Sequence, residues 1–367
     1  MKAPRYTDLV AGLPAIVPFV GPETQERVRG AKFTARLGAN ENVFGPSPKA
    51  ITAMQAALPD IWMYADPENH DLKQALAAHH GMGVENIVVG AGIDGLLGGL
   101  CRLLLGEGAG VVTSLGAYPT FNFHVAGYGG QLHTVPYLHD AEDPAAVLDM
   151  AAKVDASLIY FANPDNPMGS FHDADVMQNM IDNVPSGAIL CLDEAYIEFA
   201  PKDTAPPLDI NNPNIIRMRT FSKAYGMAGA RVGYAIGAAG LIAAFDKVRN
   251  HYGMNRVAIA GALAALEDQV YLDQTVQKVA AARGRIGDIA RANGLKPLPS
   301  ATNFVTIDCG RDGAYAKALV AEMIARGVFI RMPFVAPQDR CIRVSAGRMR
   351  DLDLFEAALP AALEAIK

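Results

Sequence analysis

Charge is scarce in this chain. Lys, Arg, Asp and Glu make up 19% of its 367 residues, against 51% apolar, which excludes a disordered chain and leaves much surface to bury. A basic excess is missing too: the formal net charge is −6, so nucleic acid has no electrostatic footprint to meet. Cys101, Cys191, Cys309 and Cys341 are the only cysteines. They lie too far apart for metal-type pairing, and three sit in apolar runs typical of buried thiols, so a reducing cytoplasm is the expected compartment. No run reaches the roughly 18 apolar residues of a membrane span, and the start of the chain, with Lys2, Pro4, Arg5 and Asp8, lacks the apolar core of a signal peptide. The expected class is an enzyme with a large core, divided into one large domain and one smaller because the chain exceeds the usual single-core limit.

Residues 1–35 hold Pro4, Pro14, Pro18 and Pro22 with little periodicity and read as an arm lying on another surface, that of the small domain. Ser47 then Pro48 is a helix-start signal, followed by Ile51, Met54 and Leu58 at helical spacing. Asn86–Val89, Gly110–Thr113, Gln131–Val135, Ser157–Phe161 and Ala188–Leu192 read as short buried strands with helical patterns in most gaps between them. That rhythm predicts an α/β fold, a mostly parallel sheet covered on both faces. The Ala-rich stretch 256–292 is a good helix former and is expected to bridge the domains. Beyond Gly294 strands thin to Phe304–Ile307 and Cys341–Ser345, around a helix at Tyr315–Ala325 and before a last helix after Asp351. The expected division is an arm at 1–35, a large domain at 36–265 and a smaller α+β domain at 266–367.

Lys223 lies in the run Thr220, Phe221, Ser222, Lys223, Ala224, Tyr225, Gly226, and Arg231 follows. Upstream, Ile189 to Leu192 read as a strand delivering Asp193 to its carboxyl end, with Tyr196 just beyond; Ile215 to Met218 read as another strand, ending just before Lys223. A lone lysine is usually solvated, and an Asp at a strand end is usually a turn residue or helix cap. Together, at two strand ends of one sheet, they suit opposite edges of a flat ring. An amine can form a Schiff base with the aldehyde of pyridoxal phosphate, a carboxylate can hold the pyridine nitrogen protonated, and a phenol can bond the 3-oxygen. Ser222 and Arg231 suit the cofactor phosphate.

Gly90, Gly92 and Gly95 match G-x-G-x-x-G after a strand, so a dinucleotide-binding dehydrogenase is a rival. That fold needs an acidic residue roughly 20 positions further on to hold the ribose, and Ser114, Leu115 and Gly116 stand there. The loop suits a phosphate monoester at the start of the helix from Ile93, although a plain strand-to-helix turn also favours glycine.

From about Asn40 to Gly347 the chain resembles the fold-type I pyridoxal-phosphate aminotransferases, and among them the histidinol-phosphate aminotransferase group. The motifs are Asn40, Glu41, Asn42 with Gly45, Pro46, Ser47, Pro48, and Asn163, Pro164, Asp165, Asn166, Pro167. The resemblance implies a seven-stranded-type sheet in the large domain and a homodimer with shared active sites. It implies that Asn166 donates to the 3-oxygen beside Tyr196, that Ala91 and Gly92 give backbone amides to the phosphate, and that Phe121 stacks on the pyridine. Tyr64 would reach the partner subunit's phosphate. Arg343 occupies the position that grips the substrate's anionic group, and Arg331 is a second candidate. A guanidinium within an apolar strand pattern is costly unless paired, which favours Arg343 as an anion clamp.

Three departures from the group stand out. Phe19 stands where a tyrosine commonly touches substrate, Met168 replaces a threonine, and Ile93 and Asp94 differ from the usual acidic pattern after the glycine loop. The expected reaction is transfer of an amino group between histidinol phosphate or an aromatic amino acid and a 2-oxo acid such as 2-oxoglutarate, with Lys223 as the proton carrier. A pyridoxal-phosphate threonine-phosphate decarboxylase is the alternative. The sensing domain of a transcription regulator is a third reading, disfavoured because the arm is too short and proline-rich for a helix-turn-helix.

Overall fold

The computed structural model describes residues 4–15 and 20–367. Seven strands form its main sheet in the order Ile87–Gly90, Gly233–Gly237, Ile215–Thr220, Ile189–Asp193, Leu158–Ala162, Gly110–Ser114, Gln131–Val135. All run the same way except Gly233–Gly237, which is antiparallel to both neighbours. Helices cover both faces, which is why the strands carry apolar residues on both. Leu158 and Tyr160 join a cluster with Leu97, Phe121 and Cys191, while Ile159 and Phe161 join another with Val147, Met177 and Leu190. The four cysteines are buried free thiols. No helix among the described residues is long and apolar enough to cross a membrane.

The strands expected from the sequence fall within two residues of the observed ones, but Gly233–Gly237 was not among them. Its sequence, Gly-Tyr-Ala-Ile-Gly, offers no alternation and is bounded by the poorest strand formers. Close approach explains Gly233: a Cβ there would lie 2.8 Å from the carbonyl carbon of Gly92, so the bare backbone lets this strand support the glycine loop.

Lys296–Pro297, Phe304–Asp308 and Cys341–Ser345 form a second, antiparallel sheet, with Thr306 opposite Arg343. Ala35–Arg36 pairs in parallel with Val328–Phe329, tying the start of the chain to this part of the molecule. One expectation needs correction, and another gains detail. The leading segment is not aperiodic: it holds helices Asp8–Gly12 and Pro22–Arg29, the latter opened by Pro22 in its first turn, where a missing N–H costs nothing. The Ala-rich stretch is two helices, Arg256–Leu266 and Gln269–Ala292. The break falls at Glu267 and Asp268, where Asp268 pairs with Lys49 at 3.5 Å. The first helix packs on Pro48–Ala57, which Ser47 caps as expected, and the second reaches the smaller sheet, so one straight rod could not serve both.

Candidate active site

The parallel strands end on one edge of the sheet, and five of their outgoing loops carry the chemistry: Ala91 and Gly92, Gly116 to Tyr118, Asn163 to Pro167, Asp193 to Tyr196, and Ser222 with Lys223. Parallel strands need crossovers and so put all their carboxyl ends together, which gathers residues remote in sequence.

Lys223 Nζ donates to the carbonyl of Asn40 at 3.2 Å and lies 5.4 Å from the centroid of the Tyr196 ring. Burial lowers its pKa to about 8, and the Arg343 cation adds to the fall. Asp193 is 6% exposed. Its Oδ2 accepts from the Tyr160 hydroxyl at 2.7 Å and its Oδ1 from the amide of Ala195 at 2.9 Å. Burial raises the Asp193 pKa, while those two donors and the Lys223 cation oppose the rise. Tyr196 Oη accepts from Asn40 Nδ2 at 3.1 Å; burial lifts its pKa to about 12, opposed by Arg343 and by that donor.

At the glycine loop, Gly92 opens the helix Gly92–Leu104 with φ of 76°, and no side chain caps that helix start. A Cβ added at Gly92 would overlap the Arg231 guanidinium. Arg231 in turn donates to Ser222 Oγ at 3.2 Å, and Ser222 Oγ also accepts from Thr220 Oγ1 at 3.0 Å. First-turn amides, a hydroxyl and a guanidinium thus converge on a space that only a glycine leaves open, which fits a phosphate group.

On the smaller sheet, Arg343 and Arg331 exchange backbone hydrogen bonds, Arg343 N to Arg331 O at 2.6 Å and Arg331 N to Arg343 O at 3.2 Å. Residues directly opposed in an antiparallel pair point to the same face. The guanidinium of Arg343 donates to Asn166 Oδ1, lies 5.1 Å from the Phe304 ring centroid, and has a buried Nε with no partner. Arg331 donates to the Val20 carbonyl. Burial lowers the pKa of both, that of Arg331 to about 10 with the Arg343 charge adding. Beneath them Asp165 accepts from Tyr137 Oη at 2.9 Å and from Met168 N at 2.9 Å, and neighbours the buried Glu142; lack of solvent and mutual repulsion hold the Glu142 pKa up.

Most of the expected site residues therefore lie along this edge, with four qualifications. Phe121 is fully buried, one face of its ring stacked on Tyr160, centroids 4.4 Å apart at 16°. Tyr118, just before the helix Pro119–Gly127, is a second aromatic group here, close enough to Asp193 and Tyr196 for their charges to act on it. It is partly buried, and burial lifts its pKa to about 12, with the carboxylates of Asp94 and Asp193 adding. The signal for it was in the sequence: a residue just ahead of a helix-opening proline lies outside the helix and is freer to face the strand ends. Tyr64 is 78% exposed, its ring against Tyr252 at 4.7 Å. Phe19 lies outside the described residues. Asn40 had no expected role, yet it joins Lys223, Tyr196, Ser345 and Asn303.

Residues 34–358 match the family described as Aminotransferase class I and II. A solved histidinol-phosphate aminotransferase from Sinorhizobium meliloti, in complex with pyridoxal-5′-phosphate, is 53% identical, with a TM-score of 0.97 over 100% of this chain and 99% of that one. Histidinol-phosphate aminotransferase 1 of Mesorhizobium japonicum is 34% identical over 92% of each chain. A solved L-threonine-O-3-phosphate decarboxylase from Porphyromonas gingivalis shares the fold, at 20% identity and a TM-score of 0.77 over 90% of this chain and 99% of that one.

Proposed function

For a chain that belongs to the class I and II aminotransferases, we propose a reaction in which an amino group passes from histidinol phosphate to a 2-oxo acid such as 2-oxoglutarate, with aromatic amino acids accepted as donors as well. The enzyme is an aminotransferase, and pyridoxal 5′-phosphate is its cofactor. That cofactor supplies an electron sink, which stabilises negative charge at the substrate α-carbon.

The chain's own residues divide the remaining work. Ala91, Gly92, Ser222 and Arg231 hold the phosphate, joined by Tyr64 of a second copy in a homodimer. Asp193 holds the ring nitrogen, Tyr196 and Asn166 hold the 3-oxygen, and Tyr118 takes over the aromatic face assigned from the sequence to Phe121. Lys223, with an amine that burial brings near neutrality, binds the cofactor and then carries the proton at the substrate α-carbon. The arm 1–35 with the small domain 266–367 would supply the anion clamp and the large domain 36–265 the cofactor site, in a cytoplasmic enzyme.

The observation that carries the substrate class is the backbone pairing of Arg331 with Arg343. It sets two arginines on one face, and the Arg343 guanidinium donates to the neutral amide of Asn166. Two cations suit a phosphate monoester, which carries close to two negative charges at neutral pH. Decarboxylation of a threonine phosphate has only the shared fold behind it. By the resemblance, Phe19 stands where a tyrosine commonly touches substrate, and loss of that hydroxyl would favour aromatic side chains relative to the phosphate. The test compares kcat/KM for histidinol phosphate, phenylalanine and tyrosine. Turnover of all three is expected; none with histidinol phosphate overturns the phosphate reading, and a preference for it above about 10⁴-fold overturns the reading of Phe19.

A further inference from the structure

Tyr160 sits in the middle of the strand Leu158–Ala162, 1% exposed, opposite Cys191 and in one apolar cluster with Leu97, Phe121 and Met218. An apolar residue would fill the place, and a phenol there loses hydration that only a hydrogen bond restores. Its hydroxyl donates to Asp193 Oδ2 at 2.7 Å, a length typical of a charge-assisted bond to a carboxylate. Strand pairing sets the distance: Tyr160 lies opposite Cys191, and Asp193 opposite Ala162. The ring is held in turn by Phe121, stacked on it at 4.4 Å and fully buried.

The geometry points to Tyr160 as the positioning residue that keeps Asp193 ionised and so keeps the proton they share on the cofactor's ring nitrogen, with Phe121 as the clamp that aims the phenol. The inference rests on the reading that Asp193 faces that nitrogen. A proton between a carboxylate and a pyridine goes to the more basic partner. Burial makes Asp193 more basic, and among the groups around it the Glu194 carboxylate acts the same way, though Arg217 and Arg219 pair with Glu194. Opposing them are Tyr160, the Ala195 amide and the Lys223 cation. Of these, the Ala195 amide and the Tyr160 hydroxyl are the two that donate hydrogen bonds directly to the carboxylate. Losing one bond to a charged group raises the basicity of Asp193 by about one to two pKa units, enough to draw the proton off the nitrogen.

The experiment loads wild type, Tyr160→Phe and Asp193→Asn with cofactor carrying ¹⁵N in the ring, and follows the nitrogen's chemical shift with pH. The nitrogen is expected to lose its proton at a pH lower by about one to two units in Tyr160→Phe than in wild type. With it, kcat falls about tenfold or more while KM for the amino donor changes little, the pattern of a group that acts on the chemical step. A fluorinated tyrosine at 160, a stronger donor of the same shape, shifts the midpoint the opposite way and serves even if the phenylalanine variant folds poorly. If Asp193→Asn neutralises the nitrogen while the substitutions at 160 leave its midpoint unmoved, the role of Tyr160 is overturned and the reading of Asp193 stands. If Asp193→Asn also leaves the signal unchanged, the reading of Asp193 falls and takes the inference with it.

Discussion

The amine of Lys223 gives a quantitative test of the site's electrostatics. Burial, aided by the Arg343 cation and opposed by Glu41, lowers its pKa from 10.5 to about 8. Only the neutral amine attacks an aldehyde, and at pH 7 about a tenth of the Lys223 amines are neutral, against about one in 3,000 for an ordinary lysine, a gain of about 300-fold. The rate constant for cofactor capture by cofactor-free protein, followed by stopped-flow absorbance between about pH 7 and 10, where the phosphate is fully ionised, should rise about tenfold per pH unit and level off near 8. The sign follows from the depressed pKa: the reactive form is lost as pH falls through about 8, not through 10.5. Arg343→Gln removes a cation that disfavours the charged amine, so the midpoint should move up. A capture rate still climbing tenfold per unit beyond about pH 9.5 in the wild type would refute the argument, since it would mean a lysine with ordinary basicity.

Two further outcomes test the cradle and the dimer. Arg231→Ala should weaken cofactor binding about 10- to 150-fold, the worth of one hydrogen bond to a charged group, and Gly92→Ala should also weaken it, because its Cβ overlaps the Arg231 guanidinium and its φ of 76° strains any other residue; equilibrium dialysis showing unchanged affinity in both would remove the phosphate from this loop. Mixing Lys223→Ala with Tyr64→Phe subunits should create hybrids with one doubly damaged and one intact site, so activity should exceed the sum of the unmixed parents; no gain, with subunit exchange confirmed by mass, argues against a shared site.

Much of this protein was legible in one dimension. Short apolar runs announced six of the main sheet's seven strands, and near their ends Gly92, Asp193 and Lys223 offered a backbone amide, an acid and an amine suited to a phosphate, a ring nitrogen and an aldehyde, because strand ends are local features and the chemistry of such groups does not depend on where the rest of the chain lies. Lateral relations were out of reach. Whether Phe121 or Tyr118 turns to the site depends on how one helix start is rotated against the sheet, and a buried ring at helical spacing looks the same either way. That Tyr160 meets Asp193, 33 positions away, follows from the register of two strands joined by a helical crossover. The pairing of Arg331 with Arg343 is likewise a fact of strand register, and the joining of Asn40 to Lys223, Tyr196 and Ser345 unites three distant segments. Sequence determined which chemical groups stand at the ends of the strands; only the tertiary structure, by setting register and burial, decided which of them touch and therefore which hold charge, which donate, and which merely pack.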